Sequence, residues 1–225
     1  MTPRLLPSPL RAHILHFETV IQQAVMHFAR SLPGGARVLD AGAGEGQYKS
    51  HFERHRYTAV DLGIGDTAWN YAGLDCIARL EFLPFREATF DACVNIVTLE
   101  HVPDPAQVLA ELARTLAPGG RLLLVVPHEW EEHQTPHDYW RFTRYGLARL
   151  LARAGFERID MEPIGGFFRL LARRMAAAPQ FFPPPLSWLA LLALAPAVLL
   201  LPFFDPIDKK KNFTLGFLCH AYKRS

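Results

Sequence analysis

The run RVLDAGAGEG, residues 37–46, constrains the fold of this chain more than any other stretch. A short, uninterrupted apolar run ends in an acid and passes directly into glycines at every second position. A strand without polar alternation must be covered on both faces, which is a property of parallel sheets. YTAVDLG (57–63) repeats the pattern, ending in Asp61, and FDACVNIV (90–97) and RLLLVVP (121–127) are two more buried runs. Between them, DPAQVLAELARTLAPGG reads as an amphipathic helix with Asp104 as N-cap, Pro105 at the first position and glycines closing the end. Upstream, residues 13–32 place Ile14, Phe17, Ile21, Val25, Phe28 and Ala29 at helical spacing before LPGG stops them. TRYGLARLLARAGFERIDMEPIG adds a helix capped by Thr143, a stop at Gly155 and a further strand. The alternation predicts an α/β fold with a parallel sheet and helices on both faces.

The glycine loop narrows the ligand. Glycines after a strand let a ligand approach the backbone and leave N–H groups aimed at it. A dinucleotide fingerprint reads G-x-G-x-x-G, whereas Gly42, Gly44 and Gly46 give G-x-G-x-G after Asp40. A carboxylate beside the loop repels a pyrophosphate but suits a cationic amino group. Asp61, about twenty residues on, is placed to accept hydrogen bonds from a ribose. An adenosine joined to an amino acid fits both acids better than a dinucleotide does.

VLDAGAGEG, VDLG, LPFREATFD, LEHVPDP, LAPGGRLLLVVP and LLARAGF, in this order over residues 37–156, resemble the successive motifs of class I S-adenosylmethionine-dependent methyltransferases. The resemblance implies a seven-stranded, mostly parallel sheet of order 3-2-1-4-5-7-6, with strand 7 antiparallel. It also implies that Asp40, Gly42, Gly44 and Gly46 surround the methionine part of S-adenosyl-L-methionine and that Asp61 holds the ribose. One position departs. Where many relatives carry an acid against the adenine amino group, this chain has Arg79, with Asp75 nearby but out of register. A nucleotide-sugar or NAD enzyme on a similar sheet is the rival cofactor reading.

The resemblance places the acceptor over the ends of strands 4 and 5, here NIVTLEHV and PHEWEEHQTPHDYWRFT. His101 is a candidate base or orienting group. PHDYWRFT resembles an element of a bacterial subgroup of these enzymes. Within that segment His133, His137, Asp138 and Tyr139 are the candidates for acceptor contact, with Arg141 pairing an acidic substrate group or Asp138 itself. The other reading of this segment is a solvated polar loop. His128, His133 and His137 lie close together, but Pro136 breaks any helix that would align them, so no metal is expected. Cys76, Cys93 and Cys219 sit in apolar runs and read as reduced thiols.

One stretch does not belong to the soluble pattern. Residues 186–204 are nearly long enough to cross a bilayer, but they carry Pro196 and Pro202, follow Pro183–Pro185, and have basic residues on both sides. Arg169, Arg173 and Arg174 flank one side and Lys209, Lys210 and Lys211 the other. FERIDMEPIG is a natural strand 6, and NFTLGFLCHAYK, residues 212–223, suits strand 7. A single crossing would strand strand 7 away from its sheet, so the insertion must leave and return on one face. The prolines predict a helical hairpin between strands 6 and 7. A dimer interface, a lid over an apolar acceptor and a true span are the alternatives.

The expected organisation is an N-terminal helical cap over 1–36, a methyltransferase domain over 37–166 and 212–225, and a hydrophobic insertion over 167–211. The start, MTPRLLPSPL, has no signal-type apolar region, which points to the cytoplasmic side of the membrane, peripheral or monotopic. A net charge of +2 on 225 residues gives no argument for nucleic acid. The expected function is O-methylation of a lipophilic or lipid-linked acceptor at the membrane surface, the alternative being a non-catalytic cofactor-binding adaptor for a membrane glycan or lipid assembly complex.

Overall fold

The computed structural model describes residues 12–65 and 68–225. The sequence start read for a signal segment, MTPRLLPSPL, lies outside the described residues. Seven strands form one sheet: β1 Arg37–Ala41, β2 Arg56–Asp61, β3 Cys76–Ile77, β4 Phe90–Ile96, β5 Leu116–Pro127, β6 Phe156–Ile164 and β7 Gly216–Lys223. Their order is β3-β2-β1-β4-β5-β7-β6, as the motif order implied. β1 pairs in parallel with β2 and β4, β2 with β3, and β4 with β5. The last strand runs the other way. The Leu215 N–H donates to Ile164 O at 3.1 Å and the Arg224 N–H to Gly155 O at 2.9 Å, so one strand number rises as the other falls.

The strands follow the apolar runs because Val38, Leu39, Ala92, Cys93, Val94 and Leu122–Val126 are all buried. Helices cover them. In α1, His16–Ser31, the residues Ile21, Val25 and Phe28 recur at helical spacing and are buried. α2, Pro105–Thr115, begins where Asp104 accepts from the Ala106 and Gln107 N–H groups at 3.1 and 3.0 Å. α3, Arg144–Arg153, begins where Thr143 accepts from the Gly146 N–H. The glycines after α2 do not close it. The helix ends at Thr115 because Leu116 is fully buried and already pairs with Phe90. Residues 117–120 then form a bulge before Arg121 pairs with Ala92, with Gly119 at φ +73°.

The chain divides into two compact units, Ile21–Glu162 with Phe217–Ser225, and Met1–Val20 with Pro163–Gly216. The second unit holds the insertion. It forms a helical hairpin of α4, Phe167–Ala177, packed against α5, Leu186–Leu200, which passes through a 3-10 segment, Leu201–Ile207, before the chain returns to β7. Pro196 does not break α5. The turn lies at residues 178–185 instead, where three consecutive prolines forbid helix.

The base of the hairpin is tied by two acids from its returning arm. Asp205, itself buried, accepts from the Gly166 and Arg169 N–H groups at 3.1 Å each, and Asp208 accepts from the Phe167 N–H at 2.9 Å. The open N–H groups at the start of α4 are thereby capped from 36 to 41 residues away in sequence. The Phe167 N–H, followed by the Lys211 N–H, holds the Asp208 carboxyl below its usual range. Arg169 and Lys211 approach Asp205 at 3.8 and 3.5 Å.

Candidate active site

β1 and β4 are where the strand order reverses direction, and ligands of open α/β sheets bind beyond the carboxyl ends of such strands. The loop after β1 carries Gly42, Gly44 and Gly46, all with positive φ. At Gly42 a Cβ would collide with the side chain of Thr98, which follows β4, so the ends of the two strands touch. The Gly42 and Ala43 N–H groups donate to Val60 O at 2.8 and 3.0 Å, fixing the loop on β2. Asp61 joins the loops after β1 and β2: its carboxylate accepts from the Gly44 N–H at 2.9 Å and from the Gly63 N–H at 2.8 Å. Each oxygen keeps a second lone pair for a ligand hydroxyl.

Asp40 is buried and accepts a hydrogen bond from the Tyr57 hydroxyl. Burial pushes its carboxyl up to about 7, against the hydrogen bond that lowers it; the nearby Asp61 adds to the rise. Tyr57 was not among the residues singled out from sequence, and neither was Trp69. The Trp69 ring lies 3.2 Å from where a Gly44 Cβ would stand, and the adjoining Asn70 N–H donates to Glu45 at 2.8 Å. Arg79 ion-pairs with the buried Glu81 at 3.2 Å, while Asp75 accepts from the Ala59 N–H at 2.8 Å. The acid nearest the departed position is therefore Glu81, and Asp75 serves the backbone of β2.

The candidate base His101 and the candidate acceptor contact His133 meet at one point, together with a third residue that sequence reasoning passed over. Glu100 is fully buried two residues after Thr98. The His101 and His133 rings lie edge to face with centroids 4.7 Å apart, and their Nε2 atoms approach Glu100 Oε1 at 3.7 and 4.0 Å. The His101 Nδ1–H donates to His137 O at 2.6 Å and the His133 Nδ1–H to Glu131 O at 3.1 Å. A carbonyl only accepts, so each neutral ring presents its Nε2 lone pair to the cluster. Burial pushes the Glu100 carboxyl up to about 8, and burial likewise lowers the His101 imidazole. Neither Glu100 oxygen nor either Nε2 has a hydrogen-bond partner, although all four atoms are buried. Each such atom ordinarily costs about 1–3 kcal/mol.

The segment between β5 and α3 is ordered by Arg141. Its guanidinium forms two 2.7 Å bonds to Asp138 and donates to Glu131 O at 2.8 Å. This pairing holds the Asp138 carboxyl down to about 2, and the same carboxylate accepts from the His133 N–H at 2.9 Å. Asp138 thus positions His133. The Tyr139 and Trp140 N–H groups donate to Glu100 O at 2.9 and 3.2 Å, folding the segment onto the end of β4. His137 and Tyr139 form a second pair, Nδ1 to hydroxyl at 3.0 Å, with Tyr139 46% exposed. The structure brings His101 and His133 together and leaves His137 and Tyr139 on the outer side. The sign that could have found Glu100 is an acid three residues beyond the apolar run 90–97.

The methyltransferase domain family matches residues 13–160, about two thirds of the chain. The chain belongs to the class I methyltransferases. Among curated relatives of the chain is the ubiquinone biosynthesis O-methyltransferase of Xylella fastidiosa, 33% identical over an alignment 172 residues long that covers 62% of this chain and 70% of the relative. Among solved structures, the phosphoethanolamine N-methyltransferase 2 of Haemonchus contortus, in complex with S-adenosylhomocysteine, aligns with TM-score 0.61 at 15% identity over 91% of this chain and 53% of that one. The cyclase SpnF aligns with TM-score 0.57 at 21% identity over 91% of this chain and 80% of that one. These two likenesses carry the fold of the methyltransferase, and the presence of a cyclase among them means that the reaction must be argued from the site.

Proposed function

We propose that this protein transfers the methyl group of S-adenosylmethionine to an oxygen of a lipophilic or lipid-linked acceptor at the cytoplasmic surface of a membrane. The observation that carries the reading is the Glu100–His101–His133 cluster beside the glycine loop, which Thr98 joins to Gly42. The residues present fit the cofactor. Gly42, Gly44 and Gly46 keep side chains out of the loop, Asp61 offers lone pairs to a ribose, and Asp40 offers a buried acid that a cationic amino group would ionise. S-adenosylmethionine supplies a methyl group already activated on sulfur, so much of the rate comes from positioning. An acceptor hydroxyl has also to lose its proton, and the Nε2 lone pairs of His101 and His133 stand where such a proton can be taken. His137 and Tyr139 form the outer contact with the acceptor, and Arg141 with Asp138 keeps His133 in place.

The lipophilic acceptor rests on the insertion. Residues Leu186–Ile207 form a 22-residue helical stretch that is apolar enough for a bilayer and almost wholly unburied among the described residues. Trp188, Leu192 and Phe203 are 60%, 71% and 72% exposed, and Lys209 and Lys210 follow on the surface. Lysines near anionic headgroups contribute about 1 kcal/mol each. The named activity of the Xylella relative, on the route to a membrane-soluble quinone, agrees with this reading.

The test uses the full chain with methyl-labelled cofactor and a native membrane extract, the product being read by mass spectrometry. Label in the lipid fraction is expected. S-adenosylhomocysteine binding without any label transfer would instead support an adaptor. In parallel, replacing residues 176–206 with a short Gly/Ser loop should abolish sedimentation with anionic vesicles while cofactor binding remains.

A further inference from the structure

We propose that Glu100, His101 and His133 form the binding site of one divalent first-row transition-metal cation. The sequence spacing did not suggest it, because the three ligands come from the ends of two different strands rather than from one helix. The site deepens the methyl-transfer reading and depends on that reading only for what the cation does.

Three observations converge. One ligand atom from each of Glu100, His101 and His133 lies within 4.8 Å of the other two, and both Nε2 atoms face Glu100 Oε1. Ligands around one cation at about 2.0–2.2 Å stand roughly 3–4 Å apart, so the 3.7 and 4.0 Å separations need only small side-chain adjustments. Second, Glu100 is fully buried and its two oxygens, with the two Nε2 atoms, have no hydrogen-bond partner. Buried polar atoms in folded proteins nearly always have one. With its carboxyl ionised, Glu100 and the two Nε2 atoms present lone pairs only, and a cation satisfies all of them at once, whereas a water molecule offers two protons. Third, both imidazoles donate Nδ1–H to a backbone carbonyl, at 2.6 Å for His101 and 3.1 Å for His133. That outer bond fixes the tautomer and ring angle in which Nε2 serves as a metal ligand.

The donor set selects the ion. Two imidazoles and one carboxylate suit Mn2+, Fe2+, Co2+ or Zn2+ over Mg2+ and Ca2+, which take oxygen ligands. Three protein ligands leave coordination positions open, and an acceptor hydroxyl bound there becomes a stronger acid. Its proton passes to water, and the metal-held oxygen attacks the methyl carbon. The carbon–sulfur bond breaks with its electron pair left on sulfur, giving the methyl ether and S-adenosylhomocysteine. The imidazoles then hold the ion rather than accept the proton.

Chelator-treated full-length protein is titrated with MnCl2 and ZnCl2 by calorimetry and with CoCl2 by visible absorption. One equivalent per chain is expected, together with ligand-field bands of Co2+ bound to nitrogen. At least a tenfold loss of affinity is expected in Glu100→Gln and in His133→Ala, and none in His27→Ala, which removes an exposed histidine elsewhere. S-adenosylhomocysteine binding shows that each variant is folded. If a variant fails to fold, the metal-induced rise in Tm of the unmodified chain decides, since it needs no substitution. Absence of stoichiometric binding, or binding undiminished in folded Glu100→Gln and His133→Ala, overturns the site. Methyl transfer is read separately: label transfer that chelation leaves unchanged overturns the cation's part in the reaction while leaving the methyltransferase reading standing. Stoichiometric metal binding without label transfer supports the site and removes that reading.

Discussion

Asp61 holds two loops with one carboxylate, and the Gly44 and Gly63 N–H groups both lose their acceptor in Asp61→Ala. Hydrogen bonds to a charged group are worth about 1.5–3 kcal/mol, so S-adenosylhomocysteine affinity should fall roughly 10- to 100-fold by calorimetry. Asp40 makes a pH prediction. Its carboxyl titrates near 7 in the fold and near its ordinary 3.8 when unfolded, so between these values the folded chain binds more protons and stability falls as pH rises. Asp40→Asn removes that loss. Its advantage over the unmodified chain in urea unfolding should grow from pH 4 to pH 7, then level off, on the order of 4 kcal/mol at most. The cofactor-loop residues were legible because glycine spacing and strand-terminal acids are local signals. Glu100, Tyr57 and Trp69 were not, since each matters through a partner distant in sequence.

At the scale of elements, the caps at Asp104 and Thr143 could be read directly, because a cap and its helix are neighbours in the chain. The caps of α4 could not. Gly166 precedes that helix with no side chain to offer, and Asp205 and Asp208 reach it from the far arm. Asp205→Ala should cost about 1–2 kcal/mol, with faster amide exchange at Gly166 and Arg169 as its local signature. The two helix boundaries that differed from expectation have one cause. Pairing of Leu116 with β4 ends α2 before its glycines, and α5 runs through Pro196 although proline is a poor helix former. In both, surroundings outweighed local preference.

For the whole molecule, sheet order followed from recognising six motifs in sequence, and the hairpin from requiring strand 7 to rejoin its sheet. The meeting of His101 with His133 could not be read that way, because it depends on long-range contacts. β7 lies between β5 and β6, so a chain ending at residue 213 should leave β6 without a partner and β5 paired only with β4. Such a chain should show no cooperative thermal transition and no S-adenosylhomocysteine binding. The same placement bears on timing. During synthesis, at about 5–20 residues per second, the exposed apolar arm is made before the strand that closes the sheet. For an interval on the order of a second, the greasiest part of the chain is complete while its enzyme is not. On the proposed membrane-surface reading, a nascent chain can reach the bilayer, or a chaperone that shields its apolar arm, before its sheet is closed.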